Sequence, residues 1–191
     1  GYRAEAGDIQ ATLTAVTDQL GKFQGEVTAL AETLAMAQAE RAQLRDRFAG
    51  QQVEILRLKD STVIRVGNAV FFEIGSADIK PSAQPILDTI GRVLADNLKR
   101  NVRVEGHTDN VPIGLVLSQA YPSNWELSVA RAESAVRYLL NTYPDLNPER
   151  LEAIGYGPNR PIATNITERG RQQNRRIEFF LVSDQRVSEQ H

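Results

Sequence analysis

From Ile9 to Leu58 an apolar residue returns every three or four positions, broken at Arg41 and Gln51. Leu13, Leu20, Val27, Leu34, Arg41, Phe48 and Ile55 take position a of a heptad. Ile9, Val16, Phe23, Leu30, Ala37, Leu44, Gln51 and Leu58 take position d. Alternating steps of four and three set these residues on one stripe of a helix. No proline interrupts the stretch, and Gly21 and Gly25 fall at b and f, away from the stripe. About seven heptads in phase predict a coiled coil, roughly 75 Å long at the helical rise per residue. A stripe of that length needs a partner. A parallel homodimer through residues 9–58 is the first expectation. The rival is a hairpin bending near Gly50, or packing onto whatever follows. Arg41 at a and Gln51 at d weaken a continuous seam, as polar core positions do when they set register. Residues 1–60 therefore read as a dimerisation segment and spacer without chemistry.

From Ser61 the pattern changes. "TVIRVGNAVFFE" holds β-branched and aromatic residues in short runs around Gly67-Asn68, which predicts a hairpin or a bulged strand. "KPSAQPILDTIGRVLADNL" predicts a helix from about Ser82, with Ile86, Leu87, Ile90, Val93, Leu94 and Leu98 on its apolar side. "NVRVEGH" alternates as a strand with Val102 and Val104 inward. "SNWELSVARAESAVRYLLNTY" predicts a second helix capped by Ser123 or Asn124, with Trp125, Leu127, Val129, Ala132, Val136 and Leu139 toward the core. "RLEAIGYG" and "RRIEFFLV" are further strands, with a loop and a short helix between them. Alternating strands and helices predict an α/β sandwich, a sheet covered on one face, over residues 61–183. Residues 184–191 form a tail.

Composition removes several classes of function. Among 191 residues there is no cysteine, so disulfides and thiolate metal sites are excluded. The net charge of −2 and the absence of a long basic run argue against nucleic acid. No apolar run approaches the ~20 residues that cross a bilayer, and no signal peptide is visible. The abrupt start at Gly1-Tyr2-Arg3 suggests a fragment whose anchor would precede it.

Enzyme chemistry finds little to work with. The histidines are His107 and His191. His107 and Asp109 stand two apart, which on a strand places both on one face. A hydrolase built on that pair is conceivable, yet no Gly-x-Ser-x-Gly elbow or His-Glu-x-x-His helix accompanies it. Zinc needs three or four ligands, so no metal and no cofactor is expected. "GYGPNRP" reads as a tight turn, not a phosphate loop. Binding is better supplied. Asp109 opens a long loop that ends at Asn124, and Arg131 lies two turns into the following helix, on the same face as Asn124, Leu127 and Ser128. An aspartate and an arginine held apart suit a zwitterion, one taking an ammonium and the other a carboxylate. On sequence chemistry alone a plain salt bridge between them is the favoured reading, since surface pairs are common and worth little. In "ERGRQQNRRIE", Arg175 and Arg176 are adjacent in an extended segment and should face opposite sides.

"VEGHTDN", "LSVARAESAVRYL", "RLEAIGYGPNRPIATN" and "GRQQNRRIEFFL" together resemble the OmpA-like peptidoglycan-binding domain, from about Val63 to Val182. "TDNVPI…YPSNWELSVARA" is similar to the MotB branch of that family. The resemblance implies a βαβαβ-type fold, no catalysis, a periplasmic location, and a pocket for diaminopimelate in the peptidoglycan stem. It carries ligand roles to Asp109, Arg131, Asn124, Thr108, and the pair Arg175 and Arg176. A MotB-like protein also implies an N-terminal membrane span and a membrane-protein partner, here absent from the sequence. The long heptad stretch departs from the flagellar form, so a passive envelope or lipoprotein-type anchor is the alternative. A module that only contacts another protein is a third class.

Overall fold

The computed structural model describes residues 2–58, 61–96, 100–115 and 117–183. Leu98, His191 and the 184–191 tail lie outside the described residues. The chain divides into two compact units, residues 1–43 and residues 44–191.

The first unit is a single helix. Helix α1 spans Tyr2–Arg47 and runs past the boundary into the second unit. From Ile9 to Leu34 its a and d residues are 54–71 % exposed, a continuous apolar stripe. Thr12, Thr14, Thr17, Thr28 and Thr33 turn their hydroxyls back onto carbonyls four residues earlier, which satisfies them within the helix.

The heptad reading is corrected at its C-terminal end. The helix does not continue to Leu58. It stops at Arg47, the chain turns through Gly50 at φ +77°, and Glu54–Arg57 is strand β1. A glycine in the left-handed region is a common helix terminator. Leu44, Phe48 and Ile55 kept the heptad spacing because all three are buried in the core of the second unit. Burial there uses the same apolar residues that a coiled coil would.

The second unit is a five-stranded mixed sheet in the order β1-β2-β5-β3-β4. Strand β2 is Ser61–Gly67, β3 is Arg100–His107, β4 is Leu151–Gly155 and β5 is Arg176–Ser183. The pairs β1–β2, β2–β5 and β3–β5 are antiparallel, and β3–β4 is parallel. Helices α3, Gln84–Asp96, and α4, Asn124–Thr142, supply the helical side of the core. Ile64, Val66, Val102, Val104, Ile177, Phe179 and Leu181 meet Ile86, Leu87, Ile90, Leu94, Ala132, Ala135 and Leu139 there. The expected α/β sandwich is what forms.

Two local readings change. Gly67-Asn68 is no hairpin: β2 ends there and Asn68–Phe71 is one helical turn, α2. Ser123 does cap α4, its Oγ accepting from Trp125 N, but Trp125 and Val129 stay largely exposed. The helix buries a narrower face than its apolar residues suggest. That face lies very close to the sheet. A Cβ at Gly106 would overlap the carbonyl of Ser128, and one at Gly155 would overlap Ser128 Oγ and Val129. Two strand glycines thus let the backbone of α4 rest against the ends of β3 and β4, which places Asn124 and Arg131 beside the loop that follows β3.

Candidate functional site: a charged cleft at the end of β3

Thr108 and Asp109 leave β3 and are buried, at 4 % and 6 % exposure. Thr108 N donates to Gly157 O at 2.9 Å, and its hydroxyl donates to Asp109 O at 2.9 Å. These bonds hold the peptide, so the Asp109 carboxylate has a fixed direction. Its Oδ1 accepts from Val111 N at 3.0 Å and its Oδ2 from Arg175 Nη1 at 2.5 Å. Asn124 closes the loop from the other side, its Nδ2 donating to Val111 O at 2.7 Å.

Arg131 comes from α4 and is nine-tenths buried. Its Nε donates to Ser76 O at 2.9 Å, and the guanidinium lies 5.2 Å from the centre of the Phe72 ring. Among the described residues its two terminal nitrogens have no hydrogen-bond partner. Burial pulls its pKa down to about 10; Tyr121 and Asp109 offset part of that, and Arg175 adds to it. Those nitrogens are not among the buried unpaired atoms, so they stay reachable, which suits an anionic ligand.

Arg175 and Arg176 diverge, as adjacent extended residues do. Arg175 bridges Asp109 and Glu168 Oε1, both at 2.5 Å. Arg176 turns to the opposite side of β5, where its donors are taken by Glu178 Oε1, Asn174 O and Arg160 O. The six residues expected at the site therefore separate. Asp109, Arg131 and Arg175 present charge, Thr108 and Asn124 hold the loop, and Arg176 belongs to another network.

A cleft of about 820 Å³ opens from Arg131 and Arg175, with Phe72, Ile74, Lys80 and Glu168 among its lining. Asn68 also lines it. The sequence offered only a turn signal for Asn68, and no motif marked it. It lines the cleft because β2 ends at Gly67, one residue before it.

The His107–Asp109 dyad does not form. The His107 ring is 1 % exposed and stacks on Tyr156 with centroids 5.5 Å apart. Its Nε2 points at Glu105 Oε2, 3.5 Å away, and Glu178 Oε2, 3.4 Å away, not at Asp109. These three side chains are near enough to share a metal ion. Their other oxygens are already neutralised: Arg103 holds Glu105 at 2.6 Å, and Arg65 and Arg176 hold Glu178 at 2.6 and 3.1 Å. A divalent ion would sit among three guanidinium groups, which opposes its binding. Burial alone would raise the Glu178 carboxyl; His107, Arg176 and Arg65 outweigh it and hold the value at about 2. The cluster is a structural network across β2, β5 and β3.

The model of the OmpA family matches residues 71–175. Motility protein B of Bacillus subtilis is 36 % identical over 123 residues, 64 % of this chain and 46 % of that protein. The cell wall anchor of the T6SS from Pseudomonas aeruginosa superposes with a TM-score of 0.66 at 34 % identity, covering 75 % of this chain and 97 % of that one. A putative MotB-like protein from Desulfovibrio vulgaris gives 0.72 at 27 % identity, covering 81 % and 99 %. The chain belongs to the OmpA family, a family of non-catalytic, peptidoglycan-binding cell-envelope domains. It spans about half the length of the curated relatives first matched. No helix among the described residues is long and apolar enough to cross a membrane.

Proposed function

We propose that this chain is a cell-wall anchor in the periplasm, in which residues 61–183 hold the diaminopimelate end of a peptidoglycan stem peptide. The observation that carries this reading is Arg131: buried, charged, and with its terminal donors idle beside Asp109. Diaminopimelate ends in an ammonium and a carboxylate on one carbon. Asp109 takes the ammonium and Arg131 takes the carboxylate, with Arg175 lending a second cation at the rim. Thr108 and Asn124 act by fixing the loop. Each charge-assisted bond contributes about 1.5–3 kcal/mol when sheltered from water.

The exposed stripe of α1 pairs with that of a second copy, so a dimer brings two pockets to one polymer. Linked pockets hold a polymer more tightly than either alone. Ahead of the chain the proposal places a membrane span and a membrane-protein partner, as in a stator unit, a reading supported by the likeness to Motility protein B. A second reading, an anchor serving another envelope machine, is supported by the likeness to the T6SS cell wall anchor.

Co-sedimentation with diaminopimelate-type sacculi tests the pocket. Wild type should pellet, while Asp109→Ala and Arg131→Ala, folded by circular dichroism, should remain in the supernatant. Equal pelleting of all three would sink the assignment.

A further inference from the structure

The cleft offers a ligand more than charge. At about 820 Å³ it has the size that shelters most of a small organic molecule. Its charged groups are largely engaged already, except at Arg131. Lys80 meets Glu73 at 3.2 Å and Ala69 O at 3.1 Å, and Glu168 is shared by Arg171 and Arg175. Between them the lining turns apolar, with Ala69, Phe72 and Ile74. Phe72 is sunk in the core at 2 % exposure, whereas Ile74 is fully open at 102 %.

The fold makes no use of an isoleucine at this place. Glu73 to Ser76 is a tight turn: Ser76 N donates to Glu73 O at 3.1 Å, and Gly75 has φ +76°. A turn with a left-handed third residue needs glycine there and leaves its second position, here Ile74, undemanding. The usual turn residues are glycine, proline, asparagine, aspartate and serine, each for a backbone reason that isoleucine lacks. A lone exposed hydrophobe is ordinary on a protein surface, and Ile166, 88 % exposed and outside the cleft lining, is one. What sets Ile74 apart is its mount. Ser76 O accepts from Arg131 Nε at 2.9 Å. On the other side a Cβ at Gly75 would come within 2.8 Å of the Leu117 side chain, in the loop that follows Asp109. The turn is therefore braced between Arg131 and that loop, and it holds an open aliphatic side chain on the cleft that Arg131 also lines.

We infer that Ile74 is a ligand-binding residue of this cleft, its side chain covering the aliphatic chain that bears the ligand's terminal carboxylate. The inference rests on the peptide-binding reading of Asp109 and Arg131. It adds a requirement for hydrocarbon beside the charges, which two opposite charges do not impose. A zwitterion on a short stub, such as glycine, meets the charges and leaves the isoleucine in water. Diaminopimelate carries its zwitterion on a run of methylenes and meets both.

Full exposure makes the test clean, because a change at Ile74 removes no packing from the fold. Titration calorimetry of the full chain with a stem tripeptide ending in diaminopimelate is run at several temperatures, with thermal melts alongside. Ile74→Ser should bind about fivefold more weakly, the loss of part of one buried side chain, and Ile74→Val within about twofold of wild type. The heat-capacity change of binding should be less negative in Ile74→Ser, and its melting temperature should match wild type. Ile166→Ser, which removes an equally open isoleucine outside the cleft, should bind as wild type does. Wild-type binding by Ile74→Ser, an equal loss in Ile166→Ser, or a lowered melting temperature in Ile74→Ser overturns the assignment. Asp109→Ala and Arg131→Ala run in parallel. If they lose binding while Ile74→Ser keeps it, only the Ile74 assignment fails. If the tripeptide does not bind wild type, or binds those two variants as it binds wild type, the underlying reading fails and the assignment with it.

Discussion

The helix of residues 1–43 and the domain that begins at Leu44 solve the problem of apolar surface in opposite ways. From Ile9 to Leu34 the stripe is more than half exposed at every a and d position. Ten residues later the same spacing continues through Leu44 and Phe48, which are 5 % and 3 % exposed. One sequence pattern therefore serves two fates. Period decides that a segment is helical; it does not decide what covers the apolar face. The domain closes its core within one chain, whereas the helix leaves its stripe for something else to cover.

The contrast predicts that the domain melts as a cooperative unit and that the helix does not share its fate. Gly106→Val forces a side chain into the carbonyl of Ser128. It should destabilise the domain by about 3 kcal/mol or more. Near-ultraviolet dichroism and a thermal melt would register the loss while far-ultraviolet signal from α1 persists. Simultaneous loss of both signals would mean that the two regions fold as one.

Acid should likewise strike the domain alone. Glu178 sits at about 2 instead of the usual 4.5, so its ion pairs contribute stability above pH 4.5 and lose that contribution as pH falls toward 2. The difference is on the order of 3 kcal/mol. In Glu178→Gln, the slope of stability against pH across that window should flatten, read by urea denaturation at a series of pH values. An unchanged slope would remove Glu178 as the source.

Removing residues 1–43 sharpens the comparison from the other side. The remaining domain keeps its core, so its melting temperature should move little. Its mass by light scattering should fall from dimer to monomer, and its retention on sacculi should drop about a hundredfold through lost avidity. A full chain that is already monomeric at micromolar concentration would break the proposed dimer. The smallest effect belongs to a single cap: Ser123→Ala removes the bond to Trp125 N and should cost about 1 kcal/mol by chemical denaturation.

Much of this architecture was legible in the residues themselves. Helix α1 followed from its period, β3 from alternation around Val102 and Val104, and α4 from the cap at Ser123. The end of α1 was not legible, because Leu44, Phe48 and Ile55 satisfy a heptad and a domain core equally well. Only Gly50 hinted at the break. At the site, the motifs pointed to Asp109, Arg131 and the Arg175-Arg176 pair, and extended backbone explains why the two arginines part. Three things needed the fold. Arg175 meets Asp109 across 66 residues. His107 turns to Glu105 and Glu178 because alternation on β3 carries it to the face of the sheet away from the helices. Asn68 reaches the cleft from the end of β2. Contacts between distant strands leave no local signature.

The join between the two regions also fixes a mechanical path. Tension drawn along α1 enters the domain at its last turn, where Leu44 and Phe48 are sunk in the core, and passes through Gly50 to β1. That edge strand grips β2 through four residue pairs, Glu54 to Arg57 against Arg65 to Thr62. β2 in turn pairs along its whole length with β5, the strand that follows directly after Arg175. The segment that ends α1 is thus held to the domain twice, by side chains sunk in the core and by the backbone pairs of an edge strand.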